Sequence, residues 1–128
     1  MYKRVTPILV VDAIEPLLPL WDALGFARAA EVPHGDVLGF AMLQSDGVIV
    51  MMQTRASMRD DVSATLDGPA PFNAAAIYID VDDLDAVAAK LPAGTDIVVA
   101  RRKTFYGAEE TWIRDAAGNL IGFAHHAE

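Results

Sequence analysis

Two stretches about seventy positions apart carry the same short pattern, and that echo limits the possible folds more than any other feature. The first runs Ile8-Leu9-Val10-Val11-Asp12 and leads to a helical pattern ending at Leu24-Gly25-Phe26. The second runs Ile77-Tyr78-Ile79-Asp80-Val81-Asp82-Asp83 and leads to one ending at Leu91-Pro92-Ala93-Gly94. Each is an apolar strand that stops at an acidic residue and turns into a helix of similar length. Self-similarity on this scale marks one supersecondary unit used twice. Two such halves, unable to bury their apolar faces alone, are expected to pack together and leave a pocket at their seam.

The rest of the chain completes each unit in the same order. Leu17, Leu20, Trp21 and Leu24 repeat at helical spacing after Pro16 and Pro19, which suit a first turn, and Gly25 supplies the stop. Strands are predicted over Val5–Val11, Phe26–Val32, Val37–Gln44 and Val48–Thr54, with Asp46-Gly47 as a hairpin turn. In the second half Asp82 is the expected helix cap, and Leu84, Val87, Ala88 and Leu91 form the apolar face. Strands over Asp96–Lys103, Glu109–Arg114 and Leu120–His125 follow, the last two joined by the turn Asp115-Ala116-Ala117-Gly118-Asn119. The expected fold class is α+β, with two tandem βαβββ modules forming a curved mixed sheet around a central cleft. A single domain is expected, with a first module over 1–54, a linker over 55–73 and a second module over 74–128. The linker is polar, is broken by Gly68-Pro69 and Pro71, has room for a short helix from Met58 to Leu66, and suits a flap over a pocket.

Charge and composition exclude several functions. Ten basic against eighteen acidic residues give a net charge of −8, the wrong sign for neutralising nucleic-acid phosphates. With no cysteine, disulfides and thiolate metal sites are ruled out. No stretch approaches the roughly 20 apolar residues that cross a bilayer, and no leader is evident, so a cytoplasmic protein without membrane or nucleic-acid partners is expected.

The signature residues resemble those of the vicinal oxygen chelate superfamily, which holds glyoxalase, extradiol dioxygenases and the bleomycin-resistance proteins. They are Val11-Asp12, Leu24-Gly25-Phe26, Val81-Asp82-Asp83, and Tyr106-Gly107 ahead of Asp115-Ala116-Ala117-Gly118-Asn119. The family pattern has Pro where this chain has Ala116. Enzymes of that family hold a divalent metal with four His, Glu or Gln side chains, taken from the first and fourth strands of each module. The resemblance places those four positions at Val5, Met51, Ala76 and Gly122, none of which offers a donor for a hard or borderline ion. A shift of one residue, to Thr6, Met52, Ala75 and Phe123 or Ile121, is no better.

The resemblance therefore implies the metal-free branch: a metal-independent, homodimeric protein without cofactor that sequesters a hydrophobic or aromatic small molecule in the cleft. The residues expected to line it are Phe40, Met42, Met51, Gln53, Tyr78, Tyr106 and Trp112. Phe40 with Met42, and Met51 with Gln53, share faces by strand alternation. Phe40 and Met42 otherwise face the helix and belong to the core. The alternative is a metal-dependent lyase or dioxygenase with atypical ligands drawn from His34, Gln53, Glu110 and His125. A third reading is a module whose pocket is filled by its own Val5, Met51 and Phe40. The bland readings of the polar groups are a solvated turn for His34, a frayed terminus for His125 and His126, and exposed hairpin carboxylates for Glu109 and Glu110. Arg101, Arg102 and Lys103 read as a charged edge strand. Asp82-Asp83-x-Asp85 is a helix N-terminus, without the loop or closing Glu of a calcium site.

Overall fold

The computed structural model describes residues 1–62, 75–116 and 118–127. They form two compact units, one of residues 7–62 and one of residues 1–6 with 75–127. Strand β1 (Tyr2–Val11) contributes its first residues to the second unit and the remainder to the first.

In the first unit a 3-10 turn (Glu15–Leu17) leads into helix α1 (Leu18–Ala23), followed by β2 (Ala27–His34), β3 (Val37–Ser45), β4 (Val48–Thr54) and helix α2 (Arg55–Val62). The sheet order is β2-β3-β4-β1, with β1 parallel to β4 and the other pairs antiparallel. Ile14, Leu18, Ala41, Leu43 and Met52 form its core, with Val11, Leu17, Trp21, Phe26 and Leu38 packed around them. The helix face differs from the sequence expectation. Leu18 is buried, whereas Leu20 and Leu24 are exposed. Prolines at 16 and 19 split the segment into a 3-10 turn and a six-residue helix, so the spacing expected of one continuous helix does not hold.

In the second unit the opening residues of β1 lie beside β5 (Ala76–Val81). Helix α3 (Leu84–Lys90) then leads to β6 (Asp96–Lys103), β7 (Ala108–Arg114) and β8 (Leu120–His126), in the order β5-β8-β7-β6. β5 pairs parallel with β8, the counterpart of β1 with β4. Val81, Leu84, Val87, Ile113 and Phe123 make its core. The helix is capped by Asp83, whose side chain accepts from the Ala86 amide at 3.1 Å, and not by Asp82. Asp82 instead takes an ion pair from the N-terminal amine. The signature turn is held by Asp115, which accepts from the Asn119 amide and side chain, while Asn119 accepts from the Ala75 amide. Gly118, at φ +89°, takes the left-handed conformation that the turn requires.

The βαβββ order is thus present twice, and the chain is α+β. Within the expected linker the helix is Arg55–Val62, and residues 63–73 lie outside the described residues. Among the described residues no helix is long and apolar enough to cross a membrane.

Candidate functional site

Strand alternation decides which side chains face away from the helices. In the second unit Ile113 and Phe123 pack on α3, with Ile79 and Ile121 around them. Their neighbours Tyr78, Asp80, Glu110, Trp112, Gly122 and Ala124 therefore share the opposite face. Register brings three of these side by side: Tyr78 pairs with Gly122, and Gly122 with Trp112. The two rings meet at 5.9 Å. Gly122 is what allows this, since a Cβ there would lie 2.6 to 2.8 Å from three atoms of the indole.

Glu110 is the centre of the face. It is fully buried, and its carboxylate accepts five hydrogen bonds. Oε2 takes the Tyr78 and Tyr106 hydroxyls, each at 2.5 Å. Oε1 takes the Trp112 indole N–H at 3.0 Å, with Arg102 Nε at 3.1 Å and its terminal nitrogen at 2.8 Å. Burial alone would push the Glu110 carboxyl up. The hydrogen bonds from Tyr106, Tyr78, Trp112 and Arg102 outweigh it and hold the group below its ordinary range. The same contact acts oppositely on its partner: burial, then the Glu110 acceptor and its charge, push the Tyr78 phenol far above the usual tyrosine value.

This overturns the reading of Glu110 as an exposed hairpin carboxylate and of Arg102 as a plain edge-strand cation. Arg102 stands opposite Glu110 in the β6–β7 register and turns inward. Glu109 is half-buried and pairs with Arg101, which also reaches Asp85 on α3. A signal for the network exists in the sequence: Glu110 and Trp112 are two apart on one strand, so they share a face. The terminal histidines also differ from expectation, because both belong to β8. His125 Nδ1 lies 3.3 Å from the Val81 carbonyl, on the α3 side. His126 is on the Glu110 face, edge-on to Tyr78, with Nε2 3.1 Å from Asp80 Oδ1. That approach is out of line for a hydrogen bond, and Asp80 Oδ1 is buried without a bonded donor, while Oδ2 accepts from Arg4 at 3.2 Å.

In the first unit the α1-facing residues are Ala41, Leu43 and Met52. Phe40, Met42, Met51 and Gln53 therefore lie on the other face, where Phe40 pairs with Gln53 and Met42 with Met51. Buried Gln53 donates to Ser57 Oγ at 3.1 Å and to Asp61 Oδ2 at 3.2 Å, so α2 reaches over this face. His34 is not merely solvated, because it meets Asp60 of α2 at 2.8 Å. Gly39 is the extra residue of a bulge between Val32 and Pro33, and a Cβ there would stand 2.6 Å from His34 Cβ and 3.0 Å from Ser57 Cβ.

A divalent metal does not fit these residues. Val5 is 58% exposed, while Thr6 and Ile8 beside it are buried, and the residue registered against Met51 is Ile8. Met51 offers a thioether, Ala76 no donor, and the space at Gly122 is taken by the indole. Glu110 and His125 lie on opposite faces of their sheet. Among the described residues no three His, Asp or Glu side chains converge as a metal site would require.

No curated protein matches the sequence. Among solved structures, a glyoxalase/bleomycin resistance protein/dioxygenase superfamily member from Vibrio splendidus 12B01 is 22% identical, with a TM-score of 0.67, covering 98% of this chain and 99% of that one. Methylmalonyl-CoA epimerase from Mycobacterium tuberculosis is 22% identical, with a TM-score of 0.66 over 96% of this chain and 87% of its own. A hypothetical protein from Bacillus halodurans C-125 is 16% identical, with a TM-score of 0.71 over 99% and 96%. At such identities these likenesses establish the fold, on which many activities are built. The family pattern itself matches residues 9–123, and the chain belongs to the Glyoxalase/Bleomycin resistance protein/Dioxygenase superfamily.

Proposed function

We propose that this protein is a metal-independent binder that sequesters a flat hydrophobic or aromatic small molecule, as the bleomycin-resistance proteins of the superfamily do with their drug. The observation that carries this reading is the Glu110 network. One buried carboxylate uses up the donors of Tyr78, Tyr106 and Trp112, and of the three it is the half-exposed Tyr106 whose ring is left as the chemistry presented to a partner. Rings held at fixed angles by their polar ends give large contact area at little entropic cost. Support for metal independence comes from the donor set at the four expected positions, and the resemblance supports action as a homodimer.

The test is calorimetric titration of the purified protein with 2-naphthol, 9-anthracenemethanol and acridone. Dissociation constants below about 1 mM support the reading, and none below that across the set overturns it. A parallel thermal scan with Zn²⁺, Ni²⁺, Mn²⁺ and Fe²⁺ addresses the lyase or dioxygenase alternative, since a metal bound by the native state alone must raise the melting temperature.

A second reading has an observation of its own. Trp112 is only 3% exposed and lies across Gly122, which fits a face filled by its own side chains. Absence of binding throughout the same titration is the result that this reading expects.

A further inference from the structure

A second carboxylate on the Glu110 face holds two groups at once. Asp80 of β5 accepts from Arg4 Nε through Oδ2 at 3.2 Å, and its Oδ1 lies 3.1 Å from His126 Nε2. The other neighbour of that nitrogen is Tyr78 Oη, at 3.5 Å. Both neighbours offer only lone pairs, because the Tyr78 proton goes to Glu110. An unprotonated nitrogen there would set three lone pairs against one another beside a buried charge, so Nε2 carries the proton. In the neutral ring Nδ1 is then the basic atom. Among the described residues no protein group bonds Nδ1, and the side chain is 45% exposed. Asp80 Oδ1 is buried with no donor in line, so it gains most when the ring beside it takes a full positive charge. Arg4 spends only Nε on Asp80 and is 57% exposed, which leaves its terminal nitrogens for an anionic oxygen.

We infer that Arg4, Asp80 and His126 form a proton-accepting subsite for a ligand with an acidic aromatic hydroxyl, which is bound as its phenolate. This rests on the binding function proposed above and names the ligand's polar group. The ligand O–H bond breaks, its electron pair stays on the oxygen, and the proton passes to His126 Nδ1. The phenolate then faces the new imidazolium and the Arg4 guanidinium, and hydrogen bonds between charged groups are the strong ones. Asp80 is the positioning residue: it decides which ring nitrogen is basic and steadies the charged ring. Tyr78 stands edge-on to the imidazole at 6.1 Å. Glu110, the other carboxylate on this face, is neutralised by Arg102 and does not compete for the proton. The class of acid follows from ordinary acidities. A carboxylic acid has lost its proton by neutral pH, and an aliphatic alcohol holds its proton too firmly for an imidazole, which leaves an activated phenol.

The test titrates the intact protein with 4-nitrophenol and with 4-nitroanisole, which has the same ring and no proton to give. The buffer is just acidic enough to keep most of the free nitrophenol neutral. Nitrophenol is expected to bind about tenfold more tightly than nitroanisole and to show its phenolate absorbance on binding. His126→Gln keeps an amide donor for Asp80 and is no base, so it loses the phenolate band and brings the two compounds within about twofold. Asp80→Asn also loses the band. Arg4→Met weakens nitrophenol about tenfold and leaves nitroanisole unchanged. If nitrophenol binds without its phenolate band, or if His126→Gln keeps the band, the inference fails and the binding function stands. If neither compound binds while 2-naphthol or acridone does, the outcome is the same. If nothing in either set binds, both fall together.

Discussion

The indole of Trp112 lies across Gly122 of the neighbouring strand, so near that a β-carbon at residue 122 would stand 2.6 Å from its Cε2 atom. The ring cannot simply swing away, because its N–H is bonded to the buried Glu110 carboxylate at 3.0 Å. Gly122→Ala is therefore expected to destabilise the protein by about 1–3 kcal/mol, the usual cost of forcing atoms into a packed interior. Urea unfolding followed by tryptophan fluorescence measures it, and a shift of the native emission should accompany the loss.

Glu110→Gln keeps the shape but leaves one acceptor oxygen where there were two and adds an amide donor among five donors. Arg102 loses the carboxylate side of its ion pair. The expected loss is about 3 kcal/mol, in the range for breaking a buried pair. Glu109→Gln, one residue away, removes a half-exposed carboxylate from Arg101 and should change stability by less than about 0.5 kcal/mol. Comparing the two unfolding midpoints separates burial from charge.

Acid should erase the advantage of Glu110. Its carboxyl is held below 4.5 in the native state, so its contribution is complete above that value and is lost as the pH falls toward the native value. The stability difference between wild type and Glu110→Gln is expected to stay constant from neutral pH down to 4.5 and to narrow below it. A constant gap at lower pH would show that the carboxyl is not depressed.

Alkali acts through Tyr78 with the opposite sign. Its phenol is raised above the ordinary 10.0, so the native state keeps a proton that the unfolded chain releases. The contribution is complete below pH 10.0 and falls as pH rises past it, and Tyr78→Phe should remove that fall. Phenolate absorbance during an alkaline titration gives a direct check, with Tyr78 remaining un-ionised until the protein unfolds.

Gly39→Ala is expected to cost about 1–3 kcal/mol for a reason unrelated to backbone conformation. The added carbon meets the Cβ atoms of His34 and Ser57, so either the β2–β3 bulge or α2 must move. A shift in the amide resonances of Arg55–Val62 would place the strain on the helix.

Both modules could be read from the chain because each strand and turn carried its own local signal: alternation, Asp46-Gly47, and the Asp115 to Asn119 turn. The α3 face was equally legible at Leu84 and Val87. The α1 face was not, since two prolines interrupted the helix that its spacing assumed. The site was hidden for another reason. Glu110 reads as polar and exposed in any window of sequence, and its burial depends on Arg102 across the hairpin, Tyr106 in the loop and Tyr78 two strands away. Such a charge is buried only when its partners are, and they come together only in the folded sheet. His126 was passed over in the same way, its place decided by β8 running one residue further than expected.

The five donors around Glu110 make an inverted coordination sphere: an anion at the centre and protein donors as the shell. Like a bound cation, it ties β5, β6, β7 and their connecting loop to a single point. Unlike one, its centre is covalently part of the chain. It cannot be stripped by a chelator, exchanged for a competing ion, or left unfilled when metal is scarce.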